Sequence, residues 1–107
     1  TPPELHEYSL ENGPEDHFGV MEGKPFRVKV KFSPKVSAYI LERRWSSDQQ
    51  VRRYKNGNVD LEFTARSEPE VISWVLGFGS EAMIMKPRTL RNKLCEQLRD
   101  TFKKYEA

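Results

Sequence analysis

Phe26-Arg27-Val28-Lys29-Val30-Lys31-Phe32 alternates apolar and basic residues without a break. That is the period of a β-strand with one buried face, because successive side chains leave a strand on opposite sides. Phe26, Val28, Val30 and Phe32 are expected to enter a core, while Arg27, Lys29 and Lys31 point away from it. A strand this regular implies neighbours on both sides, and so a central place in a sheet.

The residues that follow supply those neighbours. Ser33-Pro34 reads as a helix start, with Ser as the cap and Pro at the first helical position. The helix is expected to run to about Arg44, with Val36, Tyr39 and Ile40 on its apolar stripe and Trp45 closing its end onto the core. Asn56-Gly57 then separates two strand-like runs, 50–54 and 59–66, and suggests a hairpin with a two-residue type I′ turn. Such a turn would set Tyr54 opposite Val59, Arg53 opposite Asp60 and Arg52 opposite Leu61. Val59, Leu61 and Phe63 would face the core, and Asp60, Glu62 and Thr64 the outer side.

A second helix starts at Ser67-Glu68-Pro69-Glu70, where Ser67 and Glu70 have the spacing of a capping box. Val71, Ile72, Val75 and Leu76 form its stripe, and Gly77 and Gly79 end it. Ala82 to Met85 is a short apolar strand stopped by Pro87. A last helix, about Arg88 to Tyr105, is expected to bury Leu90, Leu94, Leu98 and Phe102, with Cys95 among them as an inert thiol. Strand, helix, strand, strand, helix, strand is the split βαβ order. The fold class expected is therefore α+β: a ferredoxin-like βαββαβ antiparallel sheet with helices on one face, a C-terminal helix and an N-terminal connecting arm. Right-handed crossovers place 26–32 beside 58–66 in the middle of the sheet.

At 107 residues, 36% hydrophobic and 32% charged, the chain makes one small, highly charged domain. No apolar run reaches the length of a membrane span, and no secretory signal is visible. The single cysteine cannot form an internal disulfide, which points to a reducing, cytoplasmic setting. The net charge of +2 conceals an acidic stretch at 1–25 and a strongly basic one at 26–66. That split suggests a nucleic-acid face or an acidic arm lying on a basic body. Pro and Gly break residues 1–25 too often for a long element, yet Tyr8, Phe18 and Val20 give them something to pack. They read as a connecting arm ahead of a domain at 26–107. The opening Thr1-Pro2-Pro3, without an initiator Met, suggests a piece of a longer protein.

The face opposite the helices is expected to carry Arg27, Lys29, Lys31, Arg53, Asp60 and Glu62. Arg27, Lys29, Lys31 and Arg53 could make phosphate contacts, with Arg43, Arg44 and Arg52 extending the patch. Against this stands a solvated, charge-paired sheet, since exposed cross-strand opposite charges are common. A self-sufficient single-strand reader would want aromatic side chains on that face, and the two central strands offer none. Tyr39, Trp45 and Trp74 are better placed for packing than for lining a ligand pocket. Gly77-Phe78-Gly79 ends a helix, whereas an anion site needs a helix N-terminus. His6 and His17 stand apart from any Cys or acid at ligand spacing, so no metal, cofactor or catalytic centre is implied. The chain is expected not to be an enzyme.

Taken together, Phe26 to Pro34, Glu42-Arg43-Arg44-Trp45, Asn56-Gly57 with Val59 to Phe63, Trp74 to Gly79, and Met85-Lys86-Pro87 with Leu90-Arg91 form an ordered set of short motifs. The set resembles the C-terminal extension, or WCX domain, of WYL-domain transcriptional regulators. Asp16 to Met21 resembles the segment that joins the WYL domain to it. The resemblance implies a bacterial, homodimeric regulator with upstream WYL and winged-helix domains. It implies that this part serves dimerisation and effector sensing, with nucleic acid the effector in some members. Two other readings stay open: a stand-alone small-molecule-binding domain of the amino-acid-sensing kind, which shares the βαββαβ order, and a nucleic-acid-binding module using the basic face.

Overall fold

A computed structural model describes residues 24–106. The elements are β1 (Phe26–Phe32), α1 (Pro34–Leu41), β2 (Gln50–Arg53), β3 (Val59–Ala65), α2 (Glu68–Leu76), a 3-10 turn (Gly79–Glu81), β4 (Ala82–Lys86) and α3 (Arg88–Glu106). The four strands form one antiparallel sheet in the order β2-β3-β1-β4. β1 is interior, as its alternation requires, and Val28, Val30 and Phe32 are fully buried. The connecting arm expected at 1–25 lies outside the described residues, apart from Lys24 and Pro25.

The sheet buries one face. Val28, Val30 and Phe32 of β1, Val59, Leu61, Phe63 and Ala65 of β3, and Ile84 of β4 share one core with Ile40 of α1 and Val71, Ile72, Trp74 and Val75 of α2. Trp74 sits at its centre, fully buried, with the rings of Phe32, Trp45, Phe63 and Phe78 at centroid distances of 5.2–5.8 Å. These tilted and edge-on contacts are the arrangements that aromatic quadrupoles favour. Trp45 closes α1 onto this core as expected, and its indole N–H donates to the Ile40 carbonyl at 3.0 Å.

Two helix starts behave differently. Ser67 caps α2, its hydroxyl oxygen accepting from the Glu70 N–H at 3.3 Å. Ser33 does not cap α1: its hydroxyl donates to the Glu81 carboxylate, and its N–H to the Glu81 carbonyl at 2.9 Å. Ser33 thus ties the exit of β1 to the entrance of β4. Helix α1 also stops at Leu41, short of Arg44, with the Glu42 N–H closing onto the Ala38 carbonyl at 3.1 Å.

The hairpin corrects the expected register. Within the turn Gly57 adopts positive φ, at 95°, and Asn56 does not, so the turn is not type I′. The Gly57 N–H donates to the Tyr54 carbonyl, the Tyr54 N–H to the Asn58 carbonyl, and the Asn58 N–H to Asn56 Oδ1, each at 3.0 Å. The loop is therefore three residues, ending in a left-handed glycine bulge. The pairing slips by one: Arg53 opposes Val59, Arg52 opposes Asp60 and Val51 opposes Leu61. Because side chains alternate, Arg52 moves to the outer face and Arg53 leaves it. A Cβ on Gly57 would lie 3.0 Å from the Pro34 ring carbons, on top of the left-handed strain. Gly57→Ala is expected to cost about 1–3 kcal/mol, read as a lower urea midpoint at unchanged slope.

The last helix corrects a second expectation. α3 joins the helical side of the domain, where Leu90 and Leu94 enter the core, but Leu98 and Phe102 are 50% and 63% exposed. Geometry explains this: 19 residues of helix extend about 28 Å, whereas a five-residue strand such as β4 covers about 17 Å. The C-terminal half outruns the sheet that could cover it. Cys95, expected among buried leucines, is exposed.

Candidate functional site

The outer face of the sheet is built from three rows of side chains set by the strand register. Arg52, Asp60, Lys31 and Met83 make one row across β2, β3, β1 and β4. Gln50, Glu62 and Lys29 make the next, beside which the β1–β4 register shifts between Lys29 and Val30, and Thr64 and Arg27 make the third. Asp60 thus lies between two bases, Arg52 and Lys31, and Glu62 between Lys29 and the neutral Gln50, so that three of the four cross-strand neighbours of these acids attract them.

Most of this charge is matched. Arg27 Nη1 lies 2.9 Å from Asp48 Oδ2, and its Nε is 3.6 Å from Glu62. Lys29 Nζ is 3.7 Å from Asp60 Oδ2. Arg27 and Lys29, two of the candidate phosphate contacts, thus stand in a charge-paired part of the surface. The two Arg27 pairs, exposed on both sides, each contribute at most about 1 kcal/mol, whereas the Lys29 pair reaches a carboxylate that is itself buried.

Asp48 was not foreseen as part of this face. The loop after α1 passes from one side of the sheet to the other within four residues. Trp45 is buried in the core, and Asp48 lands beside Thr64 on the outer face. Asp48 accepts from the Thr64 hydroxyl at 2.5 Å, the Thr64 N–H at 3.2 Å and the Ser46 hydroxyl at 2.8 Å. Gln49 Oε1 in turn accepts from the N–H groups of Trp45 and Ser46, at 2.5 and 3.2 Å. Partial desolvation pushes the Asp48 pKa up. The bonds from Thr64 and Ser46 and the charge of Arg27 outweigh it and hold the carboxyl below the ordinary carboxylate range.

A depressed folded-state pKa gives stability that is present above the unfolded value and lost as pH falls through the folded one. Between about pH 5 and pH 3 the urea midpoint is therefore expected to fall, and to fall less in Asp48→Asn. Equal slopes against pH in the two proteins would refute the role of Asp48.

The register slip that exchanges Arg52 and Arg53 also moves Tyr54. The one-residue slip turns its ring from the core to the outer face. Its hydroxyl donates to Asp60 Oδ2 at 2.6 Å, a bond that raises the Tyr54 pKa above its ordinary value. Lys31 Nζ and the Arg52 guanidinium lie over the same ring, 5.1 and 5.2 Å from its centroid. A cavity of about 250 Å³ opens next to them, lined by Lys29, Gln50, Val51, Arg52, Asp60 and Glu62.

The remaining predicted cations are elsewhere. Arg53 shares a row with the core residue Val59 and so projects from the helix side of the edge strand. Arg43 stacks on Tyr39 at 4.2 Å, at the end of α1, and Arg44 is exposed in the segment that follows. The structure thus brings Arg27, Lys29, Lys31 and Arg52 together and leaves Arg43, Arg44 and Arg53 out. Trp45 and Trp74 serve the core, and the Gly77 N–H bonds back to the Ser73 and Trp74 carbonyls as a helix end does.

Among the described residues no cluster of His, Cys, Asp or Glu is arranged to hold a metal, and no helix is long and apolar enough to cross a membrane. The other distinctive surface is the outer end of α3. There Leu98, Phe102 and Tyr105 continue the line of Leu90 and Leu94 into solvent, with Tyr105 at 85% exposure.

The family model for the WCX domain matches residues 24–102. A search of curated proteins finds no match. The matched stretch takes in all four strands, α1, α2 and most of α3, which is the whole of the core and of the charged face. On that match the chain belongs to the WCX domain family.

Proposed function

We propose that this chain is a non-catalytic regulatory module of a bacterial WYL-type transcriptional regulator, serving dimerisation and effector sensing in the cytoplasm. In this reading residues 1–25 connect it to an upstream WYL domain, and a winged-helix domain of the same protein reads the DNA. Its architecture is the ferredoxin-like arrangement, with the interior pair β3-β1 flanked by β2 and β4. Family membership supports the regulatory context.

The observation that carries dimerisation is the stripe Leu98, Phe102 and Tyr105, large apolar side chains in solvent on a domain whose own core is closed. A second copy is the occupant that fits. Along 96–106 three acids, Glu96, Asp100 and Glu106, balance three bases, Arg99, Lys103 and Lys104. Two such helices packed antiparallel set acids against bases around an apolar seam. Sedimentation of the full chain is expected to show a concentration-dependent dimer; a monomer throughout the micromolar range would overturn this half of the reading. Control of DNA binding then follows if an effector favours one arrangement of the pair over another, which requires different contacts in the two. The basic face gives less support to nucleic-acid binding as the main role, because Arg27 and Lys29 are engaged with carboxylates.

A further inference from the structure

At the centre of the outer face stands a carboxylate whose satisfaction is incomplete. Asp60 is 3% exposed. Its Oδ2 takes the Tyr54 hydroxyl at 2.6 Å and faces Lys29 at 3.7 Å, but its Oδ1 is buried with no hydrogen-bond partner among the described residues. An unpaired buried carboxylate oxygen is costly, and native folds keep such atoms where something completes them. The directly opposed residues do not do so. Arg52 and Lys31 flank Asp60 in the register, yet both lie over the Tyr54 ring, and neither forms an ion pair with a carboxylate among the described residues.

The lining of the adjoining cavity carries both signs within one small space. Asp60 and Glu62 supply carboxylates, Lys29 and Arg52 supply cations, and Gln50 supplies an amide, around about 250 Å³. A simple anion drawn to Arg52 would face two carboxylates. A simple cation drawn to Asp60 would face two bases. A molecule bearing both charges on adjacent atoms meets neither penalty.

The geometry points to a binding site for a free α-amino acid, its ammonium donating to Asp60 Oδ1 and its carboxylate paired with Arg52. The two charged groups of an α-amino acid are held on one carbon, and the Cβ atoms of directly opposed strand residues such as Arg52 and Asp60 are only about 5 Å apart. Because β2 is an edge strand, the ligand's side chain has room to leave the cavity past Gln50 and Arg52. Both of these lining residues are exposed. Rotamer changes in such side chains take picoseconds to nanoseconds and open the approach to the shielded Oδ1. This assignment rests on the effector-sensing half of the proposed function and gives that effector a chemical class.

The test is amide chemical-shift mapping on the full chain, titrated with each standard L-amino acid to about 10 mM, a range that reaches millimolar affinities. At least one is expected to shift the amides of Arg52, Tyr54 and Asp60 saturably. The N-acetyl and α-amide forms of that amino acid, each lacking one charge, are expected to bind at least about tenfold more weakly. Asp60→Asn is expected to abolish the shifts. Arg52→Gln, at an exposed position that leaves the core untouched, is expected to weaken binding about tenfold and serves if Asp60→Asn fails to fold. No saturable shift with any amino acid, or equal binding of the N-blocked form, overturns the assignment. Sedimentation of the same samples separates the two claims: a dimer that binds no amino acid removes this site alone, and a monomer that binds one removes the dimer alone.

Discussion

Trp74→Ala is expected to remove about 3–5 kcal/mol of stability, the range for truncating a large buried aromatic side chain. For a domain of this size that is a large part of the total, so the variant should be substantially unfolded near physiological temperature. The cost follows from position. Trp74 projects from the middle of α2 into the space between Phe32 and Phe63 of the sheet, and between Trp45 and Phe78 at the two loops. These four neighbours come from four separate stretches of chain, so no single rotamer change can refill the space. Trp74→Phe keeps a ring there and is expected to cost less. Equilibrium urea unfolding of the three proteins checks this, and a loss under about 1 kcal/mol for Trp74→Ala would mean that the aromatic cluster does not anchor the core.

Leu98→Glu together with Phe102→Glu is expected to weaken self-association by at least about 100-fold, since central apolar anchors of an interface each contribute about 2 kcal/mol or more. The same pair should leave the melting curve of the domain nearly unchanged once dissociated, because both positions are already half or more exposed. That combination is the signature of an interface residue, and a core residue would show the opposite. Sedimentation across a concentration series reads the first effect, and unfolding at a dilution where both proteins are monomeric reads the second. Unchanged association would place the dimer contact, or the occupant of the stripe, somewhere else.

How much of this could be read in the residues depends on the range over which each one acts. The alternation at 26–32 specified both the strand and its two faces, because period two needs no information from elsewhere. Ser67 and Glu70 fixed the start of α2 for the same reason, their contact being three residues long. The hairpin at Asn56-Gly57 was legible as a turn but not as a register. A left-handed glycine fits both the two-residue and the three-residue loop, and one residue decides which arginine of β2 joins the charged face. Tyr54 was lost to the site by that single step.

Asp48 could not have been found locally, since its partners Arg27 and Thr64 are 21 and 16 residues away. For α3 the spacing of Leu90, Leu94, Leu98 and Phe102 announced an apolar line correctly. Periodicity describes a helix and not what lies against it, so the point where the sheet runs out was invisible.

The loop from Trp45 to Asp48 has a consequence for measurement. An indole sealed in the hydrocarbon interior and an acid anchored among surface charges are joined by a peptide span shorter than one helical turn, with Gln49 lacing its amides together. Such a strap leaves little slack. A change in the charges around Thr64 is therefore expected to alter the emission of Trp45, and Trp45→Phe, which leaves Trp74 as the remaining indole, should remove that response.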